Sequence, residues 1–294
     1  MIELYSLHWS HYVEKVRWAL DYKQLDYRIV PVSVPGKPEM AHLDCAGIES
    51  ASAGRVLAVP TILDSTTGAC VTDSSEIIAY LEKAYPESPA LLGRTPAERQ
   101  EIRRWMLYLD REVGLPARRL AYTQVILEAP DILPELFLAR RRGLLKRRFL
   151  RWGAAVVLSG MLIQRFRFLQ ARRDRIVESL FAVLHGTTAR IVSHGHIAGG
   201  KFSGADIALA SLLRPLRIVP VFREAVEFSP LFAWQEEMFL GHGRECEMLY
   251  ERRIRERRER LGWSMGGIDW LRTGNPDGVA EVAGEAEKAR NDQH

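Results

Sequence analysis

The sequence predicts an α/β domain followed by an all-helical, bundle-like domain. Three observations carry this reading. Short β-rich runs alternate with two amphipathic helical patterns within the first 85 residues, proline and glycine punctuate residues 86–97, and no convincing strand occurs between residues 98 and 262, where helical stripes dominate. The expected organisation is therefore a domain at 1–85, a linker at 86–97, a helical domain at 98–262 and a polar, Gly-rich tail at 263–294. A chain of 294 residues suits about two domains of ~150 residues each.

The elements follow in order. Residues 2–8 alternate as a strand, and the turn Trp9-Ser10-His11-Tyr12 leads into a helix with Val13, Val16 and Leu20 at helical spacing. Asp26 to Val34 is a second β run, closed by Pro35-Gly36-Lys37-Pro38, after which residues 39–55 give no clear pattern. Val56 to Leu63, interrupted by Pro60, is a third run, and Asp64-Ser65-Thr66-Thr67-Gly68 turns it into a fourth at 69–72. Asp73 to Tyr85 is helical by pattern, with Ile77, Ile78 and Leu81 apolar. Beyond the linker, Thr95-Pro96-Ala97-Glu98 starts the first long helix: Thr as N-cap, Pro at the first helical position, Glu three residues after the cap. A later stripe, Leu145, Phe149, Trp152, Val156, Ser159, Ile163 and Phe166, steps by four and three. Between Trp152 and Gln164 this helix is apolar all round, which predicts burial on most sides.

Charge and cysteine bound the class. The 41 basic and 37 acidic side chains leave +4 overall, but residues 140–175 hold twelve basic residues against one acid, Asp174. That segment therefore carries +11 and the remainder of the chain −7. Its default reading is a solvated helix face. A basic, partly apolar helix also suits anionic lipid headgroups, whereas nucleic acid is disfavoured because no base-reading motif accompanies the arginines. The run of Arg252, Arg253, Arg255, Arg257, Arg258 and Arg260, interleaved with Glu251, Glu256 and Glu259, reads as a salt-bridged helix surface. The three cysteines, Cys45, Cys70 and Cys246, are far apart in sequence, which points to a reducing, cytoplasmic setting rather than a secreted scaffold. The longest charge-free apolar stretch in the second half, 13 residues, covers about 20 Å as a helix, short of the ~30 Å core of a bilayer. It does not span a membrane, though peripheral attachment stays open. His194-Gly195-His196 lacks further ligands at zinc spacing, so no metal is expected. There is no P-loop, no dinucleotide fingerprint and no C-x-x-C.

Four local patterns together resemble the cytosolic glutathione transferase family. Ser10-His11-Tyr12-Val13-Glu14-Lys15-Val16-Arg17 is similar to S-P-Y-x-x-K-V-R at the first helix, and Val59-Pro60 to the family's cis-proline. Asp73-Ser74-Ser75-Glu76-Ile77-Ile78-Ala79-Tyr80-Leu81 is similar to E-S-x-A-I-x-x-Y-L, and Phe202-Ser203-Gly204-Ala205-Asp206-Ile207-Ala208 to F-S-x-A-D-I-A. The resemblance implies a thioredoxin-like first domain, a helical second domain, glutathione as co-substrate, a hydrophobic electrophile and a homodimer. It covers residues 1–93 well and 98–240 loosely.

It also assigns roles, each with a physical rationale. A free thiol of pKa about 8.5 is only slightly ionised at neutral pH. A hydroxyl at a helix N-terminus stabilises the thiolate, which makes Ser10 the candidate catalytic residue, with an ordinary N-cap as its bland alternative. Val59 and Pro60 would present backbone groups to an extended peptide. Asp73 and Ser74 would hold the γ-glutamyl end, or only cap their helix. Trp105, Tyr108 and Leu109 are candidates for the electrophile pocket, while Tyr5 reads as core. His8 and His11 flank Ser10, and a solvated histidine at the cleft lip is the default for both. Ser203 with Asp206 is given a structural role as a capping box. The main departure is Ala58, where many members carry a basic residue; Lys37, His42 and Arg55 are the nearby substitutes. Two readings stay open: an enzyme conjugating glutathione, or a non-catalytic module of the same fold that docks on an anionic membrane or a protein through the basic segment.

Overall fold

The computed structural model describes residues 1–33, 38–43, 45, 58–138, 148–166, 170–198, 200–245 and 247–261. Lys37, Arg55, the basic run 139–147 and the tail 263–294 lie outside the described residues.

The first domain is a four-stranded mixed sheet, in the order β2-β1-β3-β4. β1 (Ile2–Ser6) runs parallel to β2 (Tyr27–Pro31), with α1 (His11–Tyr22) as the crossover. β3 (Thr61–Asp64) is antiparallel to both β1 and β4 (Ala69–Thr72). Strand alternation sends Ile2 and Leu4 to one face, where they pack with Ile62, with Val13, Val16 and Leu20 of α1, and with Ile77 and Leu81 of α2 (Ser74–Ala84). Tyr5 points the other way and packs with Val32 and Met40. It is 1% exposed, and its hydroxyl contacts both Glu3 (3.0 Å) and His42 (3.1 Å), so it belongs to the core and His42 is already engaged.

The helical domain opens with α3 (Pro96–Leu109), whose capping box is formed by Thr95 and Glu98. A π-helical turn, Asp110–Gly114, joins it directly to α4 (Leu115–Glu128). Then come α5 (Leu133–Phe137), α6 (Arg148–Phe166), α7 (Gln170–His194), α8 (Gly204–Leu213), α9 (Pro220–Arg223), α10 (Ser229–Gly241) and α11 (Leu249–Arg260). α8 is wholly buried and packs on both α1 and α3, so it forms the spine between the domains. Its capping box does more than close a helix end: the Asp206 carboxylate, 0% exposed, accepts from Ile197 N and from the amide and hydroxyl of Ser203. Trp18 of α1 sits against Phe239 and Phe202, and Glu14 of α1 pairs with Arg244 and Arg214. Together these contacts clamp the two domains.

Three expectations change. The stripe Phe149, Trp152, Val156 and Ile163 of α6 faces solvent, and the helix buries Ala155, Leu158 and Leu162 instead. A helix apolar on every side carries no pattern to say which side is covered; here α5, the 3₁₀ turn Pro130–Ile132 and α4 reach only one. Arg258, read as part of a surface ladder, is buried and grips Glu128 and the Ile218 carbonyl, while Arg255 does pair on the surface with Glu247 and Glu259. Finally, Cys45 and Cys70, 25 positions apart, are joined by a disulfide with Cα atoms 4.7 Å apart. Sequence spacing gave no hint of that pairing.

Candidate active site

Two adjoining cavities lie where the sheet domain meets α3 and α4. The first, about 320 Å³, is lined by Ala58, Val59, Pro60, Asp73 and Ser74 on one side and by Asp110, Arg111, Leu115 and Arg118 on the other. The second, about 100 Å³, is mostly apolar: Trp9, Tyr122, Val125, Leu136, Ile218 and Tyr250 surround the hydroxyl-bearing turn at Ser10. Val59 and Arg118 line both, so the cavities meet there.

Ser10 ends the β1–α1 turn with extended backbone, and its Oγ accepts from Val13 N at 3.4 Å. It is therefore an N-cap, as the bland reading held. Capping uses one lone pair and leaves the O–H free to donate into the cavity, so the two roles are compatible. The N-terminus of α1 adds its partial positive charge at the same point. Arg118 contributes a full one: burial lowers the pKa of His11 and raises those of Tyr12 and Tyr122, and the Arg118 charge reinforces the first shift and opposes the other two.

The peptide bond Val59-Pro60 is cis. Thr61 and Thr72 hydroxyls bind the carbonyls of Ala58 and Pro60, and no described residue hydrogen-bonds the backbone N–H or C=O of Val59. Those two groups are therefore available for an added strand. Asp73 sits at φ 78, a region that a non-glycine residue rarely adopts, and its carboxylate caps α2 through Ser75 N and Glu76 N. Ser74 is buried beside it. The cationic side chains lining the first cavity come from the helical domain, Arg111 and Arg118, not from the position before Val59.

Beneath this surface lies a polar clamp. The Lys15 ammonium, 0% exposed, lies 2.8 Å from both Asp110 carboxylate oxygens and 2.8 Å from Ser75 Oγ. Burial pushes the Lys15 pKa down while Asp110 opposes that shift. Ser75 donates to Asp110 as well, at 2.5 Å, and Tyr12 donates to the Asp110 carbonyl. The π-helical turn makes this arrangement fit: Gly114 lies so close to Tyr12 that a Cβ there would stand 2.4 Å from its hydroxyl oxygen.

His11 is not at a solvated lip. It is buried, with Nε2 3.2 Å from the Gly114 carbonyl. A carbonyl only accepts, so Nε2 carries the proton and donates. Burial holds its pKa at about 3, which keeps the ring neutral near neutral pH. His8 stays exposed, edge-on to Trp9.

Trp105, Tyr108 and Leu109 line neither cavity. Leu109 is fully buried in the core, Trp105 stacks under Arg190 and Tyr108 packs edge-on against Trp105. The helix phase turns Leu107 and Asp110 toward the cleft instead. The aromatic wall comes from elsewhere: Trp9 packs on Phe137 and lies 3.4 Å from the Tyr122 hydroxyl, and α11 brings Tyr250 in. Tyr122 and Arg118, seven and three residues beyond Leu115, follow the 3.6-residue period of α4, a signal the sequence did contain. Tyr250 carried none. His196 stands 3.5 Å from Asp206, and among the described residues no three His, Cys, Asp or Glu side chains converge on a metal position.

A mixed four-stranded sheet with a cis X-Pro bond beside two helix N-termini, closed from above by a helical bundle, defines the class: a thioredoxin-like domain docked on an all-helical one. The particular family follows. Residues 4–89 match the glutathione S-transferase N-terminal domain. Over most of the chain, solved structures share the fold. The beta-etherase LigF from Sphingobium sp. strain SYK-6 is 17% identical, covering 87% of this chain and 98% of its own, with a TM-score of 0.59. Glutathione transferase Omega 3C from Trametes versicolor is 16% identical over 90% and 92%, with 0.54. A glutathione S-transferase from Methylobacillus flagellatus KT with GSH bound is 16% identical over 86% and 98%, with 0.51. No curated protein sequence matches the chain.

Proposed function

We propose that the protein conjugates the thiolate of glutathione to an electrophilic small molecule. One observation carries the reading: the Ser10 hydroxyl opens onto an apolar, aromatic-walled cavity that meets, at Val59 and Arg118, a second cavity lined by Val59, Pro60, Asp73 and Ser74. Glutathione would lie in the larger cavity, with its cysteinyl backbone on the free N–H and C=O of Val59 and a carboxylate toward the N-terminus of α2 at Ser74. Its sulfur would then face Ser10. The O–H of Ser10, the N-terminus of α1 and the positive field of Arg118 all favour the anion over the thiol. A lowering of two pKa units corresponds to about 2.7 kcal/mol and leaves most of the thiol ionised near neutral pH. The thiolate attacks an electrophilic carbon held in the apolar cavity; a C–S bond forms and the leaving group departs with its electron pair.

The test is conjugation of glutathione to a reactive aryl halide by the native protein and by Ser10→Ala. The expected result is a loss of roughly tenfold or more in kcat/KM, matching the thiolate fraction that a one- to two-unit rise in pKa removes. Equal rates would take Ser10 out of the mechanism. The exposed Ala58, where a cation is the commoner choice, favours one rival reading: a non-catalytic module of the same fold that docks on an anionic membrane or a protein through the basic segment. No retention on immobilised glutathione, together with no conjugation of any aryl halide, would favour that rival.

A further inference from the structure

α6 is apolar on every side, and only one side is packed. Ala155, Leu158 and Leu162 are buried, while Phe149 (66%), Trp152 (69%) and Val157 (62%) stand exposed, with Val156, Met161 and Ile163 about half exposed beside them. These six large apolar side chains spread over the half of the helix turned away from Ala155, Leu158 and Leu162, a contiguous exposure rather than scattered single residues. No helix among the described residues is long and apolar enough to cross a membrane, so this face is not part of a span.

We propose that this face lies on an anionic lipid bilayer, with α6 parallel to the surface and these side chains at the boundary between headgroups and acyl chains. The sequence distributes charge as such a helix requires. Lys146, Arg147 and Arg148 immediately precede the apolar run and Arg165 and Arg167 immediately follow it. Within it only Arg151 is charged, and Arg151 is engaged by Asp131 and Glu135. Cations at the two ends with an apolar middle containing Trp and Phe is the pattern of an interfacial helix. Charge also selects between occupants. A twofold contact between copies would set one +11 segment against another, whereas an anionic bilayer supplies the opposite sign and an apolar phase together. Nucleic acid offers phosphate but nothing to receive Trp152, Val156 and Met161. This inference is independent of the glutathione reading.

The experiment is co-sedimentation of the full chain with vesicles of phosphatidylcholine alone and with roughly a third phosphatidylglycerol, at low and at high salt. Binding to the anionic vesicles is expected, with a part that survives high salt, because apolar insertion is not screened as charge is. The double substitution Phe149→Ser/Trp152→Ser should weaken it by roughly tenfold or more. Both side chains project into solvent, so the thermal midpoint and retention on immobilised glutathione should be unchanged. A second variant, Trp152→Phe, keeps the apolar face; it should bind as the native chain does and lose most of the fluorescence quenching caused by bromine-labelled lipid. No binding to anionic vesicles overturns the proposal, as does binding that high salt abolishes and the double substitution leaves unchanged. A concentration-dependent dimer that the double substitution dissolves, with no vesicle binding, assigns the face to a second copy instead.

Discussion

Replacing His11 by Gln should flatten the acid limb of the stability curve. His11 is buried and neutral, with an ordinary pKa of 6.5 and a folded value of about 3. Between those values the unfolded chain binds a proton that the folded chain refuses. Stability is therefore complete above about pH 6.5 and falls as the pH drops toward 3. At 1.36 kcal/mol per unit, the loss from this one group is about 2 kcal/mol at pH 5 and approaches about 5 kcal/mol once the folded state also protonates. Gln at this position can still donate its side-chain N–H to the Gly114 carbonyl, and it does not titrate. The assay is urea unfolding of both proteins at about pH 7 and about pH 5. The native chain should lose about 2 kcal/mol more than His11→Gln across that interval. Other groups titrate in both proteins and cancel in the difference. Equal losses would mean that His11 is hydrated or paired in the folded state, contrary to its burial beside Gly114.

Three further outcomes concern the polar clamp, the π-helical turn and the α8 cap. Asp110→Ala strands the buried ammonium of Lys15 and should cost about 3–5 kcal/mol in denaturant unfolding; adding Lys15→Met should recover most of it, and an additive double variant would show that the pair does not act as a unit. Gly114→Ala places a Cβ 2.4 Å from the Tyr12 hydroxyl oxygen and 2.9 Å from Leu212 Cδ2. It should cost about 1–3 kcal/mol and reduce conjugation, since Tyr12 lines the larger cavity; unchanged stability would mean that the π-helical turn yields. Asp206→Ala removes three hydrogen bonds to a carboxylate with no exposure, so it should cost about 3 kcal/mol rather than the ~1 kcal/mol of a surface cap, read from the unfolding midpoint.

The legible parts of this protein were those fixed by local chemistry. Thr95-Pro96-Ala97-Glu98 and Ser203-Gly204-Ala205-Asp206 specify their own helix starts, because an N-cap side chain and its partner are three residues apart wherever they fold. The antiparallel pairing of β3 with β4 needed only the turn Asp64-Ser65-Thr66-Thr67-Gly68 between them. Illegible were the contacts that join distant elements. Lys15, Ser75 and Asp110 meet across 60 and 95 positions, and Tyr250 reaches the Ser10 cavity from the end of the described chain. His11 looked solvated because its neighbours in sequence are polar or aromatic; the Gly114 carbonyl, 103 positions away, is what buries it. Helix phase was the recoverable error: a window reaching past the π-helical turn would have pointed to Arg118 and Tyr122 rather than to Trp105 and Tyr108.

α6 shows how an expectation can fail in its particulars and hold in its physics. A helix apolar on all sides should be covered on all sides, since each exposed CH₂ forgoes about 0.8 kcal/mol of transfer free energy. The described chain covers the side bearing Ala155, Leu158 and Leu162 and leaves the side bearing Phe149, Trp152 and Val157 to solvent. The remaining cover therefore comes from outside these residues. The net charge narrows its nature. A body of −7 repels an anionic surface, and the +11 at residues 140–175, which contain α6, turns that repulsion into an oriented approach with one helix leading. A membrane face and a glutathione cleft on the same chain would also suit one chemistry, because apolar electrophiles concentrate in bilayers. An aryl halide presented in anionic vesicles should then be conjugated faster by the native chain than by Phe149→Ser/Trp152→Ser, while the same substrate in free solution should not tell them apart.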